Sequence, residues 1–301
     1  MSFLRRLVAD NAYVLLPFCT LCWAGNHVLG RAIAGHVPPG GLAVLRWLLA
    51  LAILLPFAWP HLRRDAAAFK ARPAATVFLA LTGAAIFGTV QFVALQYAPA
   101  VNMSVLNSVA PVFILVASFV LFGDRLRVVQ MLGVAISLVG VLTIISQGDP
   151  GRLAGMSFAA GDLLIVANMS LWAIYCACLR LRPNVHWLSF LAVLCGISAL
   201  ANMPYMALEY AHGLPLQATV MTMVAIAYVA IVNSVLGYAA WNRGVELIGA
   251  PRASAFLHLI PVFGAILAST ILGERLQAFH VVAFVLILGG VTLAARQKRV
   301  A

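Results

Sequence analysis

Apolar residues fill this chain in stretches of about twenty, and polar residues gather in the short gaps between them. With breaks taken at Pro, Gly and charge, the stretches fall at 11–33, 40–59, 74–96, 100–122, 127–147, 158–180, 187–209, 219–241, 250–272 and 278–296. Each is close to the ~20 residues a helix needs to cross a hydrocarbon layer about 30 Å thick. The pattern predicts an all-α integral membrane protein of ten transmembrane helices with no separate soluble domain. The first stretch continues through Asn26 and His27 with no small-x-small cleavage site. It therefore reads as a retained helix, although Arg5 and Arg6 precede it as they would a signal peptide.

One phrase occurs twice. Residues 110–126 read APVFILVASFVLFGDRL and residues 260–276 read IPVFGAILASTILGERL, 150 positions apart. The same ungapped offset pairs Ala100 with Ala250, Ser104 with Ser254 and Gly140 with Gly290. At an offset of 149, Trp23-Ala24 answers Trp172-Ala173 and Arg31 answers Arg180. Five spans per half make the second half enter the membrane from the opposite side. The expected domains are a first five-helix repeat over 1–148 and a second, inverted one over 149–301. Inverted repeats are a signature of secondary transporters. Two opposed copies of one unit can exchange slightly different shapes, and that exchange turns an inward-open protein into an outward-open one.

Composition fits the pattern. Hydrophobic residues make up 64% of the 301 and charged residues 9%, against about 25% charged in soluble domains. The net charge of +11 is spread singly between apolar runs, not massed on one polar face, which excludes nucleic acid as a partner. With a cytoplasmic N-terminus, 15 of the 19 Lys and Arg lie in cytoplasmic segments, three in outer segments and Arg46 within a span. That asymmetry puts both termini in the cytoplasm. The five cysteines all lie in apolar runs. Cys19-x-x-Cys22 lacks the βα setting of a redox motif, so all five read as small buried hydrophobes.

At the doubled Pro-Val-Phe…Gly-acid-Arg-Leu the chain resembles the drug/metabolite transporter superfamily, in its ten-helix EamA-type members. Pro38-Pro39 followed by Arg46, and Ala94-Leu95-Gln96-Tyr97, carry the resemblance further. It extends over essentially the whole chain. In length, aromatic content and character the chain is most similar to YddG-type exporters of aromatic amino acids. The resemblance implies an exporter with a substrate pocket at the centre of the bundle. The expected location is the bacterial inner (plasma) membrane.

Polar and aromatic side chains inside a bilayer are functional candidates. The first span offers Trp23, Asn26 and His27, with Trp23 and His27 four apart on one face. Phe87 and Gln91 follow in the third, Asn107 in the fourth, Asn168, Trp172 and Tyr175 in the sixth, Tyr238 and Trp241 in the eighth, and His258 in the ninth. Rings can stack on a ligand's ring or hold a cation. Asn, Gln and neutral His can bond a zwitterion without a fixed counter-charge. Plainer readings stand beside these: Trp and Tyr near span ends anchor interfaces, as read for Trp47, Trp59, Trp187 and Tyr205 and, as an alternative to substrate contact, for Tyr238 and Trp241, and a lone Asn joins two helices. Pro111 and Pro261 read as mid-helix prolines, serving either as paired hinges or as static kinks. Arg46 has three readings: it snorkels outward, lines an outer vestibule, or recognises a substrate carboxylate.

All eight acids fall at or near span ends. Proton-coupled exporters of cationic drugs usually share a mid-depth carboxylate between drug and proton, so the reading favours facilitated export of small amphipathic metabolites, aromatic and other neutral amino acids first. The alternative is a multidrug exporter of aromatic cations with proton coupling. No metalloprotease, intramembrane-protease or hydrolase motif is present, the polar residues are too sparse for a channel, and neither a metal nor another cofactor is expected. The expected partners are a small-molecule substrate and membrane lipid; with both halves in one chain, a monomer suffices. The orientation has a direct check. In a cysteine-free background, R64C is expected to be shielded from an impermeant thiol reagent in intact cells and D149C to be labelled; equal labelling would break the antiparallel scheme.

Overall fold

The computed structural model describes residues 11–33, 36–97, 109–125, 127–155, 160–272 and 277–295. Among them the principal helices are α1 (Ala12–Ile33), α2 (Pro39–Ala71), α3 (Pro73–Ala80 and Ile86–Tyr97, joined by a π turn Leu81–Ala85), α4 (Ala110–Phe122) and α5 (Val128–Ile145). Then come α6 (Ala160–Cys178, closing in a 3-10 turn Leu179–Leu181), α7 (Trp187–Ala211), and α8 (Val220–Tyr228 and Tyr238–Ile248, joined by a π stretch Val229–Gly237). Last are α9 (Ala250–Ala253, a 3-10 stretch Ser254–His258, then Leu259–Leu272) and α10 (Ala278–Ala295). A single turn, Gly151–Ala154, lies between α5 and α6. No strand occurs among the described residues. Six helical segments, in α2, α3 and α6 to α9, are long and apolar enough to cross a membrane, and α1, α4, α5 and α10 contribute shorter apolar stretches. Helix is the expected form, since hydrocarbon offers no partner to a backbone N–H or C=O.

Two helices outrun the apolar pattern. α2 continues past 59, through Pro60 and Arg63-Arg64-Asp65, to Ala71. Charge ends an apolar run, but the Ala-rich tail is made of strong helix formers that hold a helix beyond the hydrocarbon. α8 continues past Trp241 to Ile248, with Arg243 and Glu246 paired one turn apart at 3.0 Å. The prolines stand early in their described helical segments. Pro111 occupies the first turn of α4 as described, where no helical N–H is needed. Pro261 is the third residue of the α-helical part of α9, directly after its 3-10 stretch.

The bundle is held by contacts a lipid cannot replace. α2 packs along α7, and α5 along α10. Both pairs are antiparallel. At one end of the first, the Glu209 carboxylate of α7 accepts the N–H groups of Gly40 and Gly41 at the start of α2, at 2.8 and 3.0 Å. At the other, Asp65 of α2 accepts the N–H of His186, the residue before α7, at 2.9 Å. Each acid meets exposed donors at the positive end of the opposite helix dipole. Between α5 and α10 the backbones nearly touch. A Cβ on Gly290 would stand 2.5 Å from the Gly133 carbonyl oxygen and from the Ser137 nitrogen. One on Gly140 would stand 2.8 Å from the Ala283 carbonyl oxygen. Small residues let membrane helices gain dispersion contact where no hydrophobic drive exists.

The remaining contacts form matched sets: α1 meets α9 and α8 as α6 meets α4 and α3, and α8 lies on α2 as α3 lies on α7. The π turn of α3, shifted by 150 positions, falls inside the π stretch of α8. At the end of α4, Gly123 takes φ 66°, and its N–H bonds the Phe119 carbonyl at 2.8 Å. This left-handed cap is why a glycine opens the Gly-acid-Arg-Leu turn. Asp124, next in line, then pairs with Arg180 at the end of α6.

The α5–α10 seam predicts opposite outcomes at adjacent glycines. Gly289→Ala adds its methyl to open space and is expected to leave thermal stability unchanged or slightly raised, by up to about 1 kcal/mol. Gly290→Ala is expected to cost about 1–3 kcal/mol, read as a lower melting temperature of the purified protein.

Candidate functional site

Rings from five helices meet at the centre of the bundle. Trp23 of α1 lies 5.2 Å from Trp172 of α6, edge to face at 78°, and 5.4 Å from Trp241 of α8. Trp172 stacks on Phe87 of α3 at 4.6 Å and touches Tyr175 at 5.2 Å. Tyr238 of α8 reaches Trp23 at 6.0 Å, Trp172 at 6.1 Å and Trp47 of α2 at 5.6 Å. All but the half-buried Phe87 are buried. The π turn of α3 seats them. Tyr175 lies flat on Gly83, where a Cβ would come within 2.1 Å of the ring, and the Tyr238 hydroxyl donates to the Gly83 carbonyl at 2.6 Å. A helix widened at this point is a common device at functional sites.

The polar groups among these rings are incompletely used. The Tyr175 hydroxyl donates to Asn242 Oδ1 at 2.6 Å, and Asn168 Nδ2 donates to the Phe87 carbonyl at 3.1 Å. The indole N–H groups of Trp23 and Trp47, and the amide oxygens of Asn26 and Asn168, find no hydrogen-bond partner among the described residues. A buried polar atom left so costs about 1–3 kcal/mol. Arg46, next to Trp47, is 2% exposed, and its Nε and Nη2 are likewise without a partner there. The rings offer apolar faces, and the unused groups offer hydrogen bonds. That is the composition of a site for a small amphipathic molecule.

Both halves of the chain, residues 11–146 and 159–296, match the EamA-like transporter family. The chain belongs to that family. This EamA-like transporter is similar to the uncharacterized transporter YyaM of Bacillus subtilis (strain 168), 26% identical over 96% of this chain and 95% of the relative. It is also similar to a probable amino-acid metabolite efflux pump of Salmonella typhimurium (strain LT2), 27% identical over 89% of each. A solved crystal structure superposes with a TM-score of 0.77 at 21% identity, covering 95% of this chain and 96% of the other. At that identity the likeness is one of fold.

Of the sequence-predicted residues, Trp23, Phe87, Trp172, Tyr175, Tyr238 and Trp241 stand in the one cluster, and Asn168 joins it through the Phe87 backbone. Asn26 and Gln91 are buried on α1 and α3. His258 lies elsewhere, on the α9–α5 seam, where its Nδ1 is hydrogen-bonded to Ser137 Oγ of α5. Asn107 lies outside the described residues, as does the side chain of His27. Pro111 and Pro261 sit near the starts of described helical segments. Trp59, Trp187 and Tyr205 are exposed, as interfacial anchors are. Trp47 is not: it is wholly buried against Tyr238, which corrects the anchor reading. It shares a stripe with Ala43, Ala50 and Leu54 at helical spacing, all buried, and that small-residue stripe was the available signal. Asn242, next to Trp241 on α8, joins the cluster through its bond to Tyr175.

If the rings form one packed unit, their energies couple. A double-mutant cycle of Trp23→Leu and Trp172→Leu is expected to show about 0.5–1.5 kcal/mol of non-additivity in unfolding free energy. The pair Trp23→Leu and Trp187→Leu is expected to be additive.

Proposed function

We propose that this EamA-like protein exports small amphipathic metabolites, aromatic and other neutral amino acids first, by alternating access through a chamber lined by the central rings. The observation that carries the reading is the cluster itself. Trp23, Trp47, Phe87, Trp172, Tyr175, Tyr238 and Trp241 converge from helices of both halves, with donors and acceptors beside them left unused. The name of the Salmonella relative, a probable amino-acid metabolite efflux pump, supports the same substrate class. The proposed contacts are those cluster residues with Asn26, Gln91, Asn168 and, by position in the sequence, His27 and Asn107.

We further propose that the ten helices are two five-helix repeats of opposite orientation, 1–148 and 149–301, in the bacterial inner membrane with both termini cytoplasmic and a monomer as the working unit. Supporting this are the doubled motif, the two family matches, the swapped contact sets and the antiparallel packing of α2 with α7 and of α5 with α10. The 3-10 stretch before Pro261 gives α9 a weakly bonded point at which to bend, and Pro111 stands at the equivalent place. These two prolines are the proposed hinges. No catalytic role and no cofactor enter the reading.

The second reading is export of aromatic cations with proton coupling. Cation–π attraction to the same rings favours it. The positions of the acids do not: Glu209, Asp65, Asp124 and Glu246 are committed to backbone or Arg partners at helix ends. Counterflow in proteoliposomes separates the two. Saturable phenylalanine exchange, inhibited by tryptophan and indifferent to methyl viologen or to an imposed pH gradient, is expected. Accumulation of methyl viologen driven by the pH gradient would select the second reading, and non-saturating flux would mean a channel.

A further inference from the structure

Arg46 and Glu209 are the charged side chains buried within the described bundle. Glu209 has its partners in the backbone of α2. Arg46 is different. Its guanidinium lies over the Trp47 ring at 4.6 Å and the Phe92 ring at 5.6 Å. It is pressed so closely on Gly88 of α3 that a Cβ there would stand 1.9 Å from Nη2. Through Trp47 it adjoins Tyr238, a member of the ring cluster. Yet Nε and Nη2 have no hydrogen-bond acceptor among the described residues. The elements packed about it present no described carboxylate to it: Asp65 holds His186, Asp124 holds Arg180, Glu246 holds Arg182 and Arg243, and Glu209 caps α2. Arg46 lies six residues into α2 from Gly40, so about 9 Å along the helix from that cap at 1.5 Å per residue.

A cation this deep with no counter-charge costs several kcal/mol. Snorkelling would relieve that cost by taking the head group to water, but a side chain 2% exposed is not doing so. Gly88 makes room for the guanidinium to turn inward, and the aromatic faces on either side keep it dry. A dry site strengthens any charge-assisted bond made there, and Arg, less strongly hydrated than Lys, offers its donors as a fork matched to a carboxylate. The unpartnered Trp47 indole N–H adds a donor one residue away.

We propose that Arg46 is the carboxylate anchor of the transport site, selecting organic monocarboxylates whose aromatic or apolar tail lies on the ring cluster. This rests on the export reading and makes it specific: the recognised charge is negative, so amides and amines of the same skeleton are discriminated against.

The test reads binding, by tryptophan fluorescence and calorimetry, on the purified full chain with phenylalanine, 3-phenylpropionate and phenylalaninamide. The wild type is expected to bind both carboxylates at least about tenfold more tightly than the amide, as a charge-assisted hydrogen bond implies. R46Q is expected to lose that preference through weaker carboxylate binding, with the amide within about twofold, and R46K to keep part of it. An R46Q protein with the preference intact overturns the proposal. So does a wild type that binds the amide as tightly as the acids, or that binds none of the three. Should R46Q fail to fold, the wild-type series and R46K decide. Added phosphatidylglycerol is expected to leave the affinities unchanged; competition by it would assign Arg46 to a lipid phosphate and overturn the proposal. Binding is read without flux, so the two claims fail separately. Arg46-dependent binding without saturable flux sinks the carrier reading alone. Saturable flux with no carboxylate preference sinks the anchor alone.

Discussion

Hydrocarbon gives a backbone N–H or C=O nothing to bond, and this governs how the chain is built. Inside the layer the backbone must satisfy itself, so the described regular structure is helix throughout. The same solvent removes the usual reason for helices to associate, because a lipid tail is as good a neighbour for Leu as another Leu. What remains is close approach, together with the few polar contacts that a lipid cannot supply. The α5–α10 seam, with Gly133, Gly140 and Gly290 at its contacts, is the first kind. The crossed caps of α2 and α7 by Glu209 and Asp65 are the second. Both join pairs of antiparallel helices, and together they tie one half of the chain to the other.

That constraint also gives the centre its meaning. A polar atom left unused is costly in a dry interior, and costly groups persist where something outside the fold completes them. The indoles of Trp23 and Trp47, the amide oxygens of Asn26 and Asn168, and the Arg46 guanidinium gather around one knot of rings. The π turn of α3 fits this setting: by widening at Gly83 it seats Tyr175 and takes the Tyr238 hydroxyl. Strength and binding chemistry thus sit in different parts of the bundle. The seams are small and complementary; the centre is large and aromatic, with unpartnered polar atoms among its rings.

The periphery follows a third logic. Where helices emerge, charge is paired and at least partly exposed: Arg180 with Asp124, Arg182 and Arg243 with Glu246. Such pairs contribute little stability, about 0–1 kcal/mol each, but they tie the α4–α5 turn to the end of α6, and the α6–α7 connection to the end of α8. A carrier that rearranges must break contacts of this kind, and weak ones break readily.

The extent of the apolar runs marked where the described helices lie, short of the tails of α2 and α8, because crossing hydrocarbon demands a minimum length and a water-free composition that any chain must write openly. The doubled Pro-Val-Phe…Gly-acid-Arg-Leu and the 15-to-3 split of basic residues were legible for a similar reason: duplication and charge are properties of the string. Six of the seven cluster rings could be named from it, since Trp and Tyr within a span stand out. What it could not tell was which way each faced. Trp47 had the credentials of an anchor, and only the fold turned it onto Tyr238; His258 had those of a ligand contact, and the fold bonded it to Ser137. The rings beside Arg46 were equally beyond reach. Depth follows from counting along one helix, but contact depends on rotation about its axis, and that angle is set by what other helices, far away in the sequence, press against it.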